Sequence, residues 1–352
     1  MFKKITFIAL FMAGSASFVT AQDSTKSEPL QISGSVDTYY KYDFQNVPNN
    51  IRTYFADEHN SISLGMIDIA LKKTTGKASF VGEISFGPRG TLQSIPNGAP
   101  VTDDGDVIGL SSFNIQNLHV SYAFSDKFAM TAGYMGTFVG YEVISPVGNY
   151  NYSTSYLFGA GPFQNAGIKG TYSFSPKASL MIGLFNDWNV YQDFNGVSHF
   201  GAQLMVAPAE GWSAYFNVLS GKSEGAPGIG TILDLSTSYQ ITSKFKLGLN
   251  AADYSISDDN GGYSGIALYP QYAISNGFIL GARGEYFKTK DIGNLQGNDV
   301  TSLTFSGNLK SGSFTFIPEV RFDNSSDLSF LKENSVSTKS ASQFSLAAVF
   351  AF

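Results

Sequence analysis

The sequence predicts an all-β fold, a transmembrane antiparallel up-and-down β-barrel of about 16 strands with short periplasmic turns and long extracellular loops. Three observations predict it. The chain opens on an export signal, it repeats one alternating apolar segment up to its last residue, and it is short of charge. Charged residues make up 14 % of it, against about 25 % in an ordinary soluble domain.

The export signal occupies residues 1–21. Lys3 and Lys4 precede an apolar run over 5–12 that extends loosely to Val19, and Val19-Thr20-Ala21 places small residues before a cut expected after Ala21. That run is too short to cross a membrane as a helix, which needs ~20 apolar residues. Residues 22–29 then form a short periplasmic segment, and 30–352 a single barrel domain. Cysteine is absent, so no disulfide framework and no lipid-modified thiol follow the signal. No later apolar run is long enough for a membrane helix, so any crossing uses strands.

The last dozen residues set the repeat. Phe344, Leu346, Ala348, Phe350 and Phe352 fall on one side, and Gln343, Ser345, Ala347, Val349 and Ala351 on the other. This is strand alternation with one wholly apolar face, which lipid can cover. Similar segments recur between short gaps rich in turn residues: KTTGK at 73–77, SDK at 125–127, SPK at 175–177, PAEG at 208–211, TSK at 242–244, SNG at 275–277 and KSG at 310–312. From Pro208 onward the gaps recur every 33 to 35 residues, the length of one hairpin with its loop. Bulky apolar residues flank them, among them Phe124, Phe128, Phe174, Trp212, Phe245, Phe278 and Phe314. Aromatics at one height along a ring of strands make the interfacial girdle of a membrane barrel.

Sixteen segments follow: 30–44, 61–72, 78–87, 114–124, 128–138, 165–174, 178–188, 198–207, 212–221, 230–241, 245–256, 263–274, 278–288, 299–310, 313–323 and 341–352. The number is even and both ends fall on the short-turn side, as a bacterial single-chain barrel requires. Alternation sends Phe278, Leu280, Ala282, Gly284 and Tyr286 outward and Arg283 and Glu285 inward. In 313–323 it sends Phe314, Phe316, Val320 and Phe322 outward, with Glu319 and Arg321 inward. The same rule places Asp37, Lys41, Glu83, His119, Lys169, Asp234 and Lys246 inside. Pro270 and Pro318 interrupt two strands, where a missing N–H suggests a bulge or a mis-set register. The long gaps form eight loops, of which 88–113 and 139–164 are the longest and the candidates to fold inward.

The chemistry that stands out is polar lining. Arg283, Glu285, Glu319 and Arg321 lie at similar mid-membrane depth. They read either as a mixed-charge constriction or as ion pairs that satisfy one another across a polar wall. The acidic run Asp103-Asp104-Gly105-Asp106 lacks the later glutamate of an EF-hand loop and reads as a solvated loop. His59, His119 and His199 have no metal-ligand spacing. No serine elbow flanked by glycines appears, so the expectation is no enzyme, no catalytic residue, no metal and no cofactor. The net charge of -6 argues against nucleic acid as a partner.

The segment 136–163, GTFVGYEVISPVGNYNYSTSYLFGAGPF, resembles the signature of the β-barrel porin family described as OmpL-like, around its Gly-Tyr-Glu and Asn-Tyr-Asn-Tyr-Ser elements. Asp37-Thr38-Tyr39-Tyr40 and Asn186-Asp187-Trp188-Asn189 add to the likeness. After Pro162-Phe163 the chain has Gln164-Asn165-Ala166 where a typical member is expected to carry a histidine. The resemblance implies a pore in the bacterial outer membrane and no catalytic residue. A sixteen-strand barrel is too wide for side chains to fill, so water enters unless a loop plugs it.

The expected function is therefore an outer-membrane porin for passive diffusion of small hydrophilic solutes, with lipid as its surroundings and a homo-oligomer left open. The alternative is a structural or accessory barrel that binds partners through its extracellular loops and conducts little. The pore-lining candidates are Arg283, Glu285, Glu319, Arg321, Asp37, Lys41, Lys169, Asp234 and Lys246.

Overall fold

Alternation sustained over ten or so residues commits a segment to an extended strand with one apolar face. When neighbours on both sides do the same, the sheet can remove its two edges only by closing. The computed structural model, which describes residues 27–352 apart from 52, 54, 90–114, 191 and 194, has closed in this way. The expected export signal, the acidic run at 103–106, nearly all of the second loop and Asn114 lie outside the described residues.

The ring comprises β1 (Gln31–Asp43), β2 (Ser61–Thr75), β3 (Ala78–Phe86), β4 (Ile115–Ala123), β5 (Phe128–Gly136), β6 (Gln164–Ser175), β7 (Ala178–Phe185), β8 (His199–Val206), β9 (Trp212–Gly221), β10 (Gly230–Gln240), β11 (Phe245–Ile256), β12 (Gly262–Ser275), β13 (Phe278–Thr289), β14 (Asp299–Ser311), β15 (Phe314–Ser325) and β18 (Ser340–Ala351). Each strand pairs antiparallel with its chain neighbours, and β1 closes on β18 from Ser35↔Ala351 to Asp43↔Gln343. Gly34 and Phe352 exchange both backbone hydrogen bonds at 3.0 Å, so the terminal residue continues the ladder. The expected strands thus stand, with ends shifted by a few residues. The last long gap contains a small hairpin of its own, β16 (Phe330–Lys332) with β17 (Val336–Thr338).

The outward face is apolar. Leu280, Tyr286, Leu303, Phe305, Phe314, Phe322 and Phe350 are all exposed, whereas their inward neighbours Arg283, Glu285, Glu319 and Arg321 are buried. Near the short turns, aromatics pair along the outer surface, Tyr122 with Phe124 at 5.0 Å, Tyr172 with Phe174 at 5.2 Å and Trp212 with Tyr239 at 5.2 Å. This is the expected girdle.

Neither proline shifts the register. Along β12 and β13 the pairs Leu268↔Gly284 and Gln271↔Gly281 keep one register across Pro270, and Ser306↔Glu319 and Leu309↔Phe316 do the same across Pro318. The missing N–H opens a short gap in one ladder while the other side of the strand stays paired. The bulges lie elsewhere, at Val36/Thr38, Glu83/Ile84, Ser173/Ser175 and Ala273/Ser275.

Candidate pore constriction

The third loop, residues 137–163, leaves β5 and turns into the barrel. Its backbone carries donors and acceptors that need partners once water is excluded. The wall supplies them with side chains. At the loop base Thr137 N–H donates to the Phe163 carbonyl at 3.0 Å. Gly140 N–H then donates to Asp234 at 3.0 Å, and that carboxylate also accepts from Asn217 at 2.6 Å and Asn250 at 2.5 Å.

Two glutamates of the wall each take two consecutive backbone amides. Glu319 accepts from Tyr152 N–H at 2.8 Å and Ser153 N–H at 3.0 Å. Glu285 accepts from Tyr156 N–H at 3.0 Å and Leu157 N–H at 2.9 Å. The latter amides open the short helix α1 (Tyr156–Ala160), whose first N–H groups have no intrahelical partner. Ser155 caps the same turn by accepting from Phe158 N–H at 3.0 Å.

Two arginines take the carbonyls between these amides. Arg283 donates to Ser153 O at 2.6 Å and Thr154 O at 3.2 Å, and to Glu142 of the loop itself at 2.8 Å. Arg321 donates to Thr154 O at 2.7 Å and grips Asp323 through two nitrogens at 2.9 Å. Both arginines are 0 % exposed. Such charges are tolerable in the interior when they are paired and hydrogen-bonded, and here Glu142 and the loop carbonyls answer Arg283 while Asp323 and Thr154 O answer Arg321.

Tyrosines finish the seat. Tyr152 O–H donates to Asp37 at 2.6 Å, Tyr156 O–H to Asp323 at 2.6 Å, and Tyr150 O–H lies 2.8 Å from the Ile279 carbonyl. Burial holds the Tyr152 phenol protonated well above its ordinary range. It therefore donates to Asp37 across the physiological pH range. The first loop joins from the other side. Thr154 Oγ1 donates to the Thr53 carbonyl, and the Arg89 guanidinium stacks 4.4 Å from the Phe55 ring and 4.8 Å from that of Tyr152.

Glycines on the inner wall make room for the loop's large side chains. A Cβ on Gly281 would collide with the Tyr150 ring, one on Gly248 with Tyr141, and one on Gly201 with Phe138. Tyr141 is held by stacking on Tyr269 at 4.4 Å and 21°. Gly281→Val is expected to push Tyr150 off the wall and free residues 149–153 to limited proteolysis from outside. An uncut loop in Gly281→Val would remove the seating role of that glycine.

The expected lining residues fall into two sets. Arg283, Glu285, Glu319, Arg321, Asp37 and Asp234 converge on the third loop and hold it. Lys41 is buried within electrostatic reach of Asp57, Asp43 and Glu58. Lys169 and Lys246 face inward from β6 and β11, half-buried, away from the anchors. The charges of the first set do not simply pair with one another; they bind the loop's main chain, or in the case of Asp37 its Tyr152 phenol. Sequence reasoning missed their partners Glu142, Tyr152, Tyr156 and Asp323, and the receiving glycines. A glycine at an inward strand position was the available signal, because it marks close approach.

The closed barrel resembles solved structures of other proteins. OmpT of Vibrio cholerae, folded in vitro, matches 96 % of this chain and 100 % of its own at a TM-score of 0.59 and 12 % identity. An anion-selective porin from Comamonas acidovorans matches 93 % and 100 % at 0.58 and 12 %. OmpF of Salmonella typhi matches 92 % and 97 % at 0.60 and 10 %. At such identities the likeness shows the fold alone. No curated protein matches the chain in sequence. The model of one family, described as putative beta-barrel porin-2, OmpL-like, matches residues 29–352. With that match spanning every strand of the closed ring, the chain belongs to the OmpL-like β-barrel porin family.

Proposed function

We propose that the protein is an outer-membrane porin through which small hydrophilic solutes diffuse down their gradients, past a section narrowed by the third loop. The observation that carries this reading is the loop itself, folded into a closed sixteen-strand ring and fastened by buried wall charges. A rigidly held inward loop sets a cross-section, and a pore selects by that cross-section and its polar lining. Family membership and the porin folds of its structural relatives support the same reading. The apolar outer belt suits acyl chains and the aromatic girdle suits the headgroup level. One similar OmpT structure is described as a trimer; for this chain an oligomer belongs to the proposal and is checked by cross-linking in detergent.

Single-channel recording of the purified, folded protein in a planar bilayer tests the pore. Discrete, stable conductance steps are expected. A folded, inserted barrel that stays silent would sink the porin reading and favour the accessory role through extracellular loops.

A further inference from the structure

Below the seated loop, the lumen wall from β4 to β14 is basic. The wall carboxylates that touch the loop are engaged: Asp37, Glu285, Glu319 and Asp323 hold the loop's amides, phenols or Arg321, and Asp234 holds Gly140 N–H. Between these and the periplasmic turns, the described inward positions of β4 through β14 carry no carboxylate at all, on the strand alternation. They do carry three lysines. Lys169 sits at mid-height on β6, while Lys246 and Lys310 lie beside the turns on β11 and β14.

Unlike the arginines, these lysines reach solvent. Lys310 is exposed and the other two are half-buried. Lys246 and Lys310 stand within electrostatic reach of each other, and Lys169 reaches the inward His119 on β4. The remaining inward acids of the lower wall, Asp68 on β2 and Glu83 on β3, lie outside that run of strands and accept from Ser35 and Asn117 respectively. A stretch of wall with one sign of charge over a low-dielectric surface concentrates counter-ions.

From this juxtaposition we infer that the periplasmic vestibule of the lumen is a binding and selectivity site for small anions, built by Lys169, Lys246 and Lys310. This rests on the porin reading and deepens it. It places selectivity away from Arg283 and Arg321, whose charges are spent on the loop. A solute anion that has passed the loop meets the ammonium groups of Lys169, Lys246 and Lys310 on a stretch of wall whose described inward positions carry no carboxylate below the loop.

The test is the reversal potential of the purified full-length protein in a planar bilayer under a potassium chloride gradient. The wild type is expected to pass chloride in preference to potassium. The triple variant Lys169→Gln, Lys246→Gln, Lys310→Gln should lose that preference by about threefold or more at low salt, less at high salt as screening grows. Its step size should persist, and heat-modifiable gel migration checks that it folds. Lys73→Gln is the control, because Lys73 alternates onto the outer face beside the same mouth. A wild-type pore that prefers potassium, a triple variant with unchanged reversal potential, or an equal shift in Lys73→Gln would each overturn the lysine assignment while leaving the pore intact. A folded barrel without steps would overturn the pore and the assignment with it.

Discussion

Arg283→Ala is expected to unseat the third loop and to raise single-channel conductance several-fold. The substitution removes the donor for Ser153 O and Thr154 O and leaves Glu142 and Glu285 buried without their cation. Breaking a buried charge pair from one side costs about 3–5 kcal/mol, chiefly because the surviving charge is stranded. A loop has a way out that a core lacks: it can swing into solvent and hydrate its carboxylates. The barrel wall, paired strand to strand, has no reason to melt with it. Conductance should therefore rise while the heat-modifiable band of the folded barrel remains. Reversal potential should change far less than conductance. An Arg283→Ala pore with wild-type step size would show that the loop is held without that residue.

Phe305→Arg is expected to destabilise the barrel in a bilayer strongly. Phe305 projects outward from the middle of β14 and is 47 % exposed. If acyl chains cover that surface, an arginine at the midplane costs about 2–4 kcal/mol. Phe305→Leu keeps an apolar side chain there and should fold nearly as well as the wild type. Unfolding titrations in urea with phospholipid vesicles would measure both. Equal stability of the arginine and leucine variants would mean that no hydrocarbon faces that strand.

Much of the fold could be read because the barrel wall obeys a local rule. Phe314 to Phe322 and Leu280 to Tyr286 alternate with polar neighbours whatever the rest of the chain does, and turn residues mark where each strand stops. The ends were less legible. Phe138 and Trp188 extend the apolar pattern of β5 and β7, yet they belong to loops, drawn in by tertiary partners, Phe185 at 5.4 Å and Tyr254 at 5.0 Å. The hairpin of β16 and β17 has too few residues to show a period.

The constriction was half legible for a related reason. Alternation identified Arg283, Glu285, Glu319 and Arg321 as inward, since each strand carries that information by itself. What they bind lies in residues 142–157, far off in sequence and without periodicity. Asp-, Glu- and Arg-to-main-chain contacts leave no mark on the loop's own side chains, so the loop reads as ordinary Tyr-, Asn- and Ser-rich sequence. Gly201, Gly248, Gly265 and Gly281, placed inside strands where a side chain would pack better, register its passage.

Most seats for the third loop are on β13, β14 and β15, later in the chain by as many as 167 residues, as between Tyr156 and Asp323. A ribosome finishes the loop well before it makes those later anchors. During biogenesis the loop must therefore wait, unfastened, until the final hairpins arrive and the seam between the two ends is sewn. Contacts of such long sequence separation form late, which makes narrowing of the aperture the closing act of maturation, and an unfinished barrel a wider hole than the mature one.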